Sequence, residues 1–397
     1  MLSTLAVFSA AAAALPASSV RLAPRAACTP EAGGSASTDD VPAITSALTK
    51  CGNGGTIVLP AGTTYYANSV LDFEGCKGCD FQIEGTLKFS DDTDFWNGER
   101  AMINVKKIDG AKIRSLTGSG VIDGNGQAAW DLFAKDKDFA RPTLVYISGS
   151  NDITLTNIAH KDAPNVFISA RDDSKNVHFS DLSLSAKSTS DNEPKNTDGF
   201  DIGAASYVTV SNVTVVNDDD CIAFKPGADF VTVTDVTCTG SHGISVGSLG
   251  KGSPDTVTNV YAGHITMIDS TKAAGIKTYP TDNGHQTSTV SNVTFEDFTV
   301  KNCDYAFQIQ SCYGEDDEYC ESSPGDAKLS GVVVKGFTGT TSDKEDPVTA
   351  NLNCGEEGTC GVSFSGWEVK APSGKNEVLC ANTPSDLGVE CTEGASG

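Results

Sequence analysis

A chain of 397 residues with 52 acidic against 28 basic side chains has a formal charge of -24 and an isoelectric point near 4.4. That balance excludes nucleic acid as a general partner, because phosphate binding needs a basic face. An anionic sugar polymer is not excluded, provided the site supplies its own lysines, histidines and backbone donors against the repulsive far field.

In chain order the first element is an apolar run, Leu2 to Leu15, followed by the small residues Ala17 to Val20. It reads as a secretory signal peptide over residues 1–18, with 19–25 as a short propeptide and 26–397 as one mature domain; a buried helix is the competing reading. No later segment approaches the ~18 apolar residues that span a bilayer, so a secreted, extracellular protein without a membrane anchor is expected. Thirteen cysteines behind an export signal point to disulfides. Sequence proximity pairs Cys221 with Cys238, Cys354 with Cys360 and Cys380 with Cys391, and Cys28 with Cys51 clamps the N-terminal end. Cys76 and Cys79 read as a local disulfide, since no second pair lies at zinc-ligand spacing. Among Cys303, Cys312 and Cys320, Cys303 is expected to be free. Asn212 and Asn292 open glycosylation sequons.

Helical signal is scarce, and its best instance is Val41 to Thr49, with Asp39 and Asp40 ahead of it as caps. Such a helix would plug the open end of a stack. From about residue 105 short β-branched runs recur, among them Ile153 to Ile158, Val177 to Leu182, Val208 to Val213, Val231 to Val236 and Val290 to Val293. Each meets an Asn or Asp corner, at Asn157, Asp181, Asn212, Asp235, Asn259 and Asn292. The interval is too short for a βαβ unit, and the alternation within each run turns one set of side chains inward. The pattern predicts an all-β fold, a right-handed parallel β-helix with a short N-terminal capping helix. An antiparallel sandwich would prefer hairpin turns where this chain has irregular corners.

Asp198 lies 22 residues before Asp220, which lies 22 before His242. Coils of that length would stack the three on successive rungs ~4.8 Å apart. Asp219, at a corner where the alternation breaks, can face the same cleft. Carboxylates so close cannot all ionise freely. Glycoside hydrolysis needs that arrangement, with one carboxylic acid protonating the leaving oxygen and an ionised partner activating water. A calcium site or a solvated acidic patch is the plain alternative for Asp218 to Asp220 taken alone.

These residues resemble glycoside hydrolase family 28, the polygalacturonases and their relatives. Asn196-Thr197-Asp198 matches the first family motif and Asp219-Asp220-Cys221 the second. Gly240-Ser241-His242-Gly243-Ile244-Ser245 resembles the third, and Gly275-Ile276-Lys277-Thr278 the fourth, with Gly275 in place of the usual arginine. The resemblance implies Asp219 as general acid, with Asp198 and Asp220 positioning and deprotonating the water, and inversion at the anomeric carbon. It implies that His242 tunes the acid and that Asn196, Lys277 and Tyr305 contact substrate. No arginine follows Arg171, so the bidentate carboxylate grip is missing from the fourth motif's surroundings.

Segments such as Ser248-Leu249-Gly250-Lys251 and Lys272 to Pro280 are most similar to the fungal xylogalacturonan hydrolases, which cut a xylose-branched galacturonan from within. Gly275 is therefore expected to leave room for a branch. The resemblance implies a pectic polysaccharide as partner, and a monomer is expected; no metal or other cofactor is expected either, since no phosphate-cradling loop, HExxH or EF-hand series occurs. An exo- or endo-polygalacturonase acting on the bare polymer is the nearest alternative. A pectate lyase or a non-catalytic β-helix binding module stands further off.

Overall fold

The computed structural model describes residues 26–251, 255–280, 284–316, 319–320, 325 and 327–397; the expected signal peptide and propeptide lie outside them. Two long sheets of short parallel strands run through the described residues. One extends from Ala27–Cys28 to Cys360–Lys370 and the other from Leu71–Asp72 to Thr392–Glu393. Successive coils contribute one strand to each, so the strands wind into the expected parallel β-helix, right-handed by the rule for parallel crossovers.

The inward alternation is visible residue by residue. Val177, Val208, Val231, Val260, Val293 and Val332 stand in register on six consecutive coils. All six are buried, each contributing roughly 1.5–3 kcal/mol of apolar burial. Toward the C-terminal end aromatic rings take over, with Phe298 stacked on Phe337 at 4.5 Å and Trp367 beyond it at 5.5 Å.

The Asn and Asp corners have a geometric cause. Asn157, Asp181, Asn212, Asp235, Asn259 and Asn292 all adopt φ between 53° and 59°, the left-handed region that these two residue types tolerate best after glycine. Their side chains also bond from coil to coil. Asn212 Nδ2 donates to Asp181 Oδ1 and Asn292 Nδ2 to Asn259 Oδ1, both at 2.7 Å.

A helix over Val41–Cys51 covers the N-terminal end, burying Val41, Ile44, Ala47, Leu48 and Cys51. Asp39 caps it by accepting the Val41 N–H at 3.2 Å. Asp40 does not cap through its side chain, contrary to expectation. Its two oxygens instead accept the N–H groups of Gly33 at 2.6 Å and Tyr66 at 2.7 Å, tying the first coil to the segment ahead of the helix. The short helix Gln127–Phe133, not among the expected elements, sits in the loop that flanks the site described below.

Six disulfides form: the five expected pairs, Cys76–Cys79 among them, and Cys312–Cys320. Cys303 is free and buried, and burial pushes its thiol up to about 11, so it is a packing residue with little thiolate character.

His160 is fully buried between the Ile122 and Leu184 coils, and burial pulls its imidazole down to about 4. The folded protein holds it neutral while the unfolded chain titrates near 6.5. This group's contribution to stability is therefore intact above pH ~6.5 and is lost progressively as the pH falls toward 4. Denaturant unfolding of His160→Leu between pH 7 and pH 4 should show a shallower acid loss than the parent, by up to an order of 3 kcal/mol.

Candidate active site

On the second sheet Phe200, Ile202, Ile222, Phe224, Ile244, Val246 and Ile276 point inward to the core. The intervening positions Asp201, Ala223, Ser245, Gly275 and Gln308 form a register column on the outer face. The corners that feed these strands bring Asp198, Asp219 and Asp220 together. One carboxylate oxygen from each lies within 4.8 Å of the others.

The corner is held by neutral donors. Asn217, buried beneath it, places Nδ2 at 2.8, 2.9 and 3.0 Å from the carbonyls of Thr197, Asp219 and Asp220. Ser241 Oγ donates to the Asp219 carbonyl at 2.8 Å, and the Asp220 N–H reaches the Asp219 carboxylate at 2.7 Å. The Cys221–Cys238 disulfide fixes the chain immediately afterwards. These contacts turn Asp219 toward the other two carboxylates despite the strand alternation.

The three acids differ in surroundings. Asp220, 1% exposed, accepts from Lys277 Nζ at 2.8 and 3.0 Å and from Ser245 Oγ at 2.7 Å. Burial raises its pKa, but Lys277, Lys272 and Lys225 outweigh that and hold it below the usual carboxylate range. Asp198 is also buried, with Lys225 Nζ only at 3.5 Å. Burial, then the like charge of Asp201, push it well above the ordinary range, with Asp219 and Asp220 adding to the effect. Asp219 is the most accessible of the three. It takes a hydrogen bond from Asn196 Nδ2 at 3.1 Å and lies 3.4 Å from His242 Nδ1. Burial raises it, yet the His242 hydrogen bond and charge bring it well below its normal value. Of the three, Asp198 is therefore the acid whose surroundings most favour the neutral form in the free protein.

The carboxylates have the spacing of a metal-ligand set, but ammonium groups already occupy the cation positions. Lys277 neutralises Asp220, and Lys225 bridges Asp198 and Asp201 at 3.5 and 3.4 Å. A divalent ion would have to displace them.

The expected substrate contacts meet mixed outcomes. Asn196 reaches the site through a left-handed turn at φ 61°. Lys277 does too, but its ammonium is engaged by Asp220 in the free protein. Tyr305 lies in register with Lys272 on the next coil, and burial and Glu345 push its phenol up to about 12. Gly275 does not open an empty space. A Cβ there would stand 2.5 Å from the Gln308 carbonyl oxygen and 3.0–3.1 Å from the Lys272 side chain, which fills the volume.

Two cations escaped the sequence reading. Lys225 was hidden because its partners come from a neighbouring coil. The guanidinium of Arg141 stacks 3.6 Å over the Phe133 ring and donates to Asn196 Oδ1 at 2.7 Å, placing it behind the residue that touches Asp219. Burial pulls Arg141 down to about 10, against the opposing charges of Asp219 and Asp198.

The family model described as "Glycosyl hydrolases family 28" matches residues 51–391. The chain belongs to that family. It is 68% identical over 374 residues to the "Probable endo-xylogalacturonan hydrolase A" of Aspergillus flavus, covering 94% of this chain and 92% of that protein. The crystal structure of the endo-xylogalacturonan hydrolase from Aspergillus tubingensis superposes with a TM-score of 0.93 at 67% identity, over 94% of this chain and 100% of that one. A polygalacturonase from Erwinia carotovora shares the fold, with a TM-score of 0.73 at 19% identity over 91% of this chain and 97% of that one.

Within this family 28 chain the Lys277–Asp220 pair is a buried ion pair, and removing one partner strands the other. Lys277→Met should lower unfolding stability by about 3–5 kcal/mol. Lys277→Met with Asp220→Asn should recover part of that loss; additive losses in chemical denaturation would show that the pair is not coupled.

Proposed function

We propose that this protein is a secreted, monomeric glycoside hydrolase that cuts α-1,4-galacturonosyl bonds within xylose-substituted galacturonan. The observation that carries the reading is the triad Asp198, Asp219 and Asp220 on adjoining coils, in a chain 68% identical to a probable endo-xylogalacturonan hydrolase. Six disulfides and the apolar leader support export through an oxidising compartment.

Asp219 is the most accessible of the acids and is the one that reaches the glycosidic oxygen. It donates its proton there as the bond from the anomeric carbon to that oxygen breaks. Asp220, kept ionised by Lys277, accepts a proton from the water that attacks the anomeric carbon, and Asp198 helps to hold that water. Because the surroundings favour a neutral Asp198 and an ionised Asp219 in the free protein, Asp219 has to gain a proton when the sugar enters. The incoming ring strips water from Asp219, which adds to the burial that already favours its neutral form. His242, at 3.4 Å, sets how readily Asp219 gains and releases that proton. The cluster thus works as a unit that shares one proton.

Inversion is the outcome implied by the family resemblance, although inverting pairs are usually separated by ~6.5–9.5 Å. Here the nearest carboxylate oxygens lie within 4.8 Å. Proton NMR of the first product anomer decides the matter: the β-anomer from the α-linked polymer supports inversion, and the α-anomer means retention.

Asp219→Asn should lower kcat by about 10²–10⁴-fold, with oligomer binding and thermal unfolding near the parent values. A variant that keeps substantial turnover would show that the acid lies elsewhere. Product analysis in EDTA, on xylogalacturonan and on bare polygalacturonate, tests substrate and mode together. Mixed saturated oligomers, chiefly from the branched polymer and undiminished by the chelator, are expected. Single galacturonates released from the bare polymer would instead identify an exopolygalacturonase.

A further inference from the structure

Lys272 opens the strand Lys272–Thr278, one coil beyond His242. Only 5% of its surface is exposed. Every other lysine of the site has a carboxylate within 3.5 Å: Lys225 has Asp198 and Asp201, and Lys277 has Asp220. Lys272 has no ion pair or hydrogen bond through its ammonium among the described residues. A buried cation without a partner is costly, and a protein with 52 acidic side chains had ample means to supply one.

The path of the side chain is built rather than incidental. It runs over two glycines. A Cβ at Gly243 would lie 2.9 Å from Lys272 Cγ, and a Cβ at Gly275 would lie 3.0 and 3.1 Å from Cδ and Cε. Gly275 belongs to the outward column of the second sheet, between Ser245 and Gln308. Any larger residue at either position would push the stem out of this groove. The two glycines therefore carry the stem across the outward column of the strand that also holds Lys277, where its ammonium feels the charges of Asp220 and Asp219.

The geometry points to Lys272 as a specificity residue whose ammonium binds the carboxylate of a galacturonate ring in this cleft. The stem lies flat in its glycine cradle, so a cation is present without a bulky head standing above the sheet. Among the described lysines of the site, Lys272 is the one whose ammonium an incoming uronate can neutralise without breaking an existing ion pair. The inference rests on the hydrolase reading above and names which group recognises the acid function.

Burial and the neighbouring charge of Lys277 pull the Lys272 ammonium down to about 8, while Asp220 and Asp219 act in the opposite direction. The charged groups facing it are Asp219, Asp220, Lys225 and Lys277. His242 and Tyr305 are the titratable side chains at the same level on the adjoining coils.

The test uses Lys272→Met, which keeps the stem and removes the charge, on xylogalacturonan as the free acid and after methyl esterification of its carboxyl groups. KM for the free acid should rise about ten- to a hundredfold, the loss of a charge-assisted hydrogen bond. KM for the ester should change less than about threefold, and any change in kcat, through the weaker field on Asp220, should be common to both polymers. Equal changes in KM on the two polymers, or a fall in kcat with KM unmoved, overturn the proposal and make Lys272 a positioning group for the acids. Removing an unpaired buried charge should leave thermal unfolding unchanged or raise it.

The parent protein supplies an arm that does not depend on the variant folding. Its KM for the free acid should climb between pH 7 and 9.5 as Lys272 loses its proton; a flat profile overturns the proposal. Lys272→Met retains His242 and Tyr305, so a climb that persists in the variant belongs to them and also overturns it. Failure of the parent to cut xylogalacturonan at all would sink the hydrolase reading itself, which is distinguishable from an unaffected Lys272→Met.

Discussion

Adjacent coils of a parallel β-helix are locked by main-chain hydrogen bonds ~4.8 Å apart, and nothing a side chain does can lengthen that step. Whatever residue types occupy equivalent positions on neighbouring coils must coexist at that distance. Valines and phenylalanines benefit from it. Carboxylates do not, and the site is organised around the consequence. Asp201 lies between Arg171 at 2.7 Å and Lys225 at 3.4 Å, Lys225 continues to Asp198, and Lys277 closes on Asp220. Signs alternate through the stack because the spacing leaves no other low-energy arrangement.

The same constraint separates the acids in strength. Two aspartates one coil apart share a backbone environment, yet one is held low and the other high. The difference is distance to ammonium: 2.8 Å for Asp220 against 3.5 Å for Asp198, which also faces Asp201. Glycosidic chemistry needs one carboxyl that keeps a proton beside another that does not. Here the contrast follows from which lysine reaches which rung rather than from any difference in the acids themselves.

Much of this was legible in the sequence because the features that announce a solenoid are local. A β-branched run needs only its own alternation, and a left-handed corner needs only an Asn or Asp, so Asn157 through Asn292 stood out one by one. The motif acids and the near-neighbour disulfides were visible for the same reason. Charge compensation was not, because it is made between coils. Lys225 and Arg141 look like solvated surface residues until the chain is wound. Asp40 looked like a helix cap because its position is right, but long-range N–H groups from Gly33 and Tyr66 claim its oxygens. Gly275 read as a vacancy because sequence shows which side chain is missing and not which one has moved in.

The corner ladder carries a consequence for biosynthesis. Asn212 is at once a sequon asparagine and a rivet, its amide donating to Asp181 on the coil below, and Asn292 does the same to Asn259. Oligosaccharide transfer acts on that very nitrogen. An enzyme needs the amide free and pliable, whereas the wound coil presents it bonded and fixed in a left-handed turn. Modification at either position must therefore come before the coil closes. The substituted nitrogen keeps one hydrogen, enough to bond the rung beneath, so a sugar added early would not prevent the ladder from forming. Order of events, rather than exposure, is what these two corners make decisive.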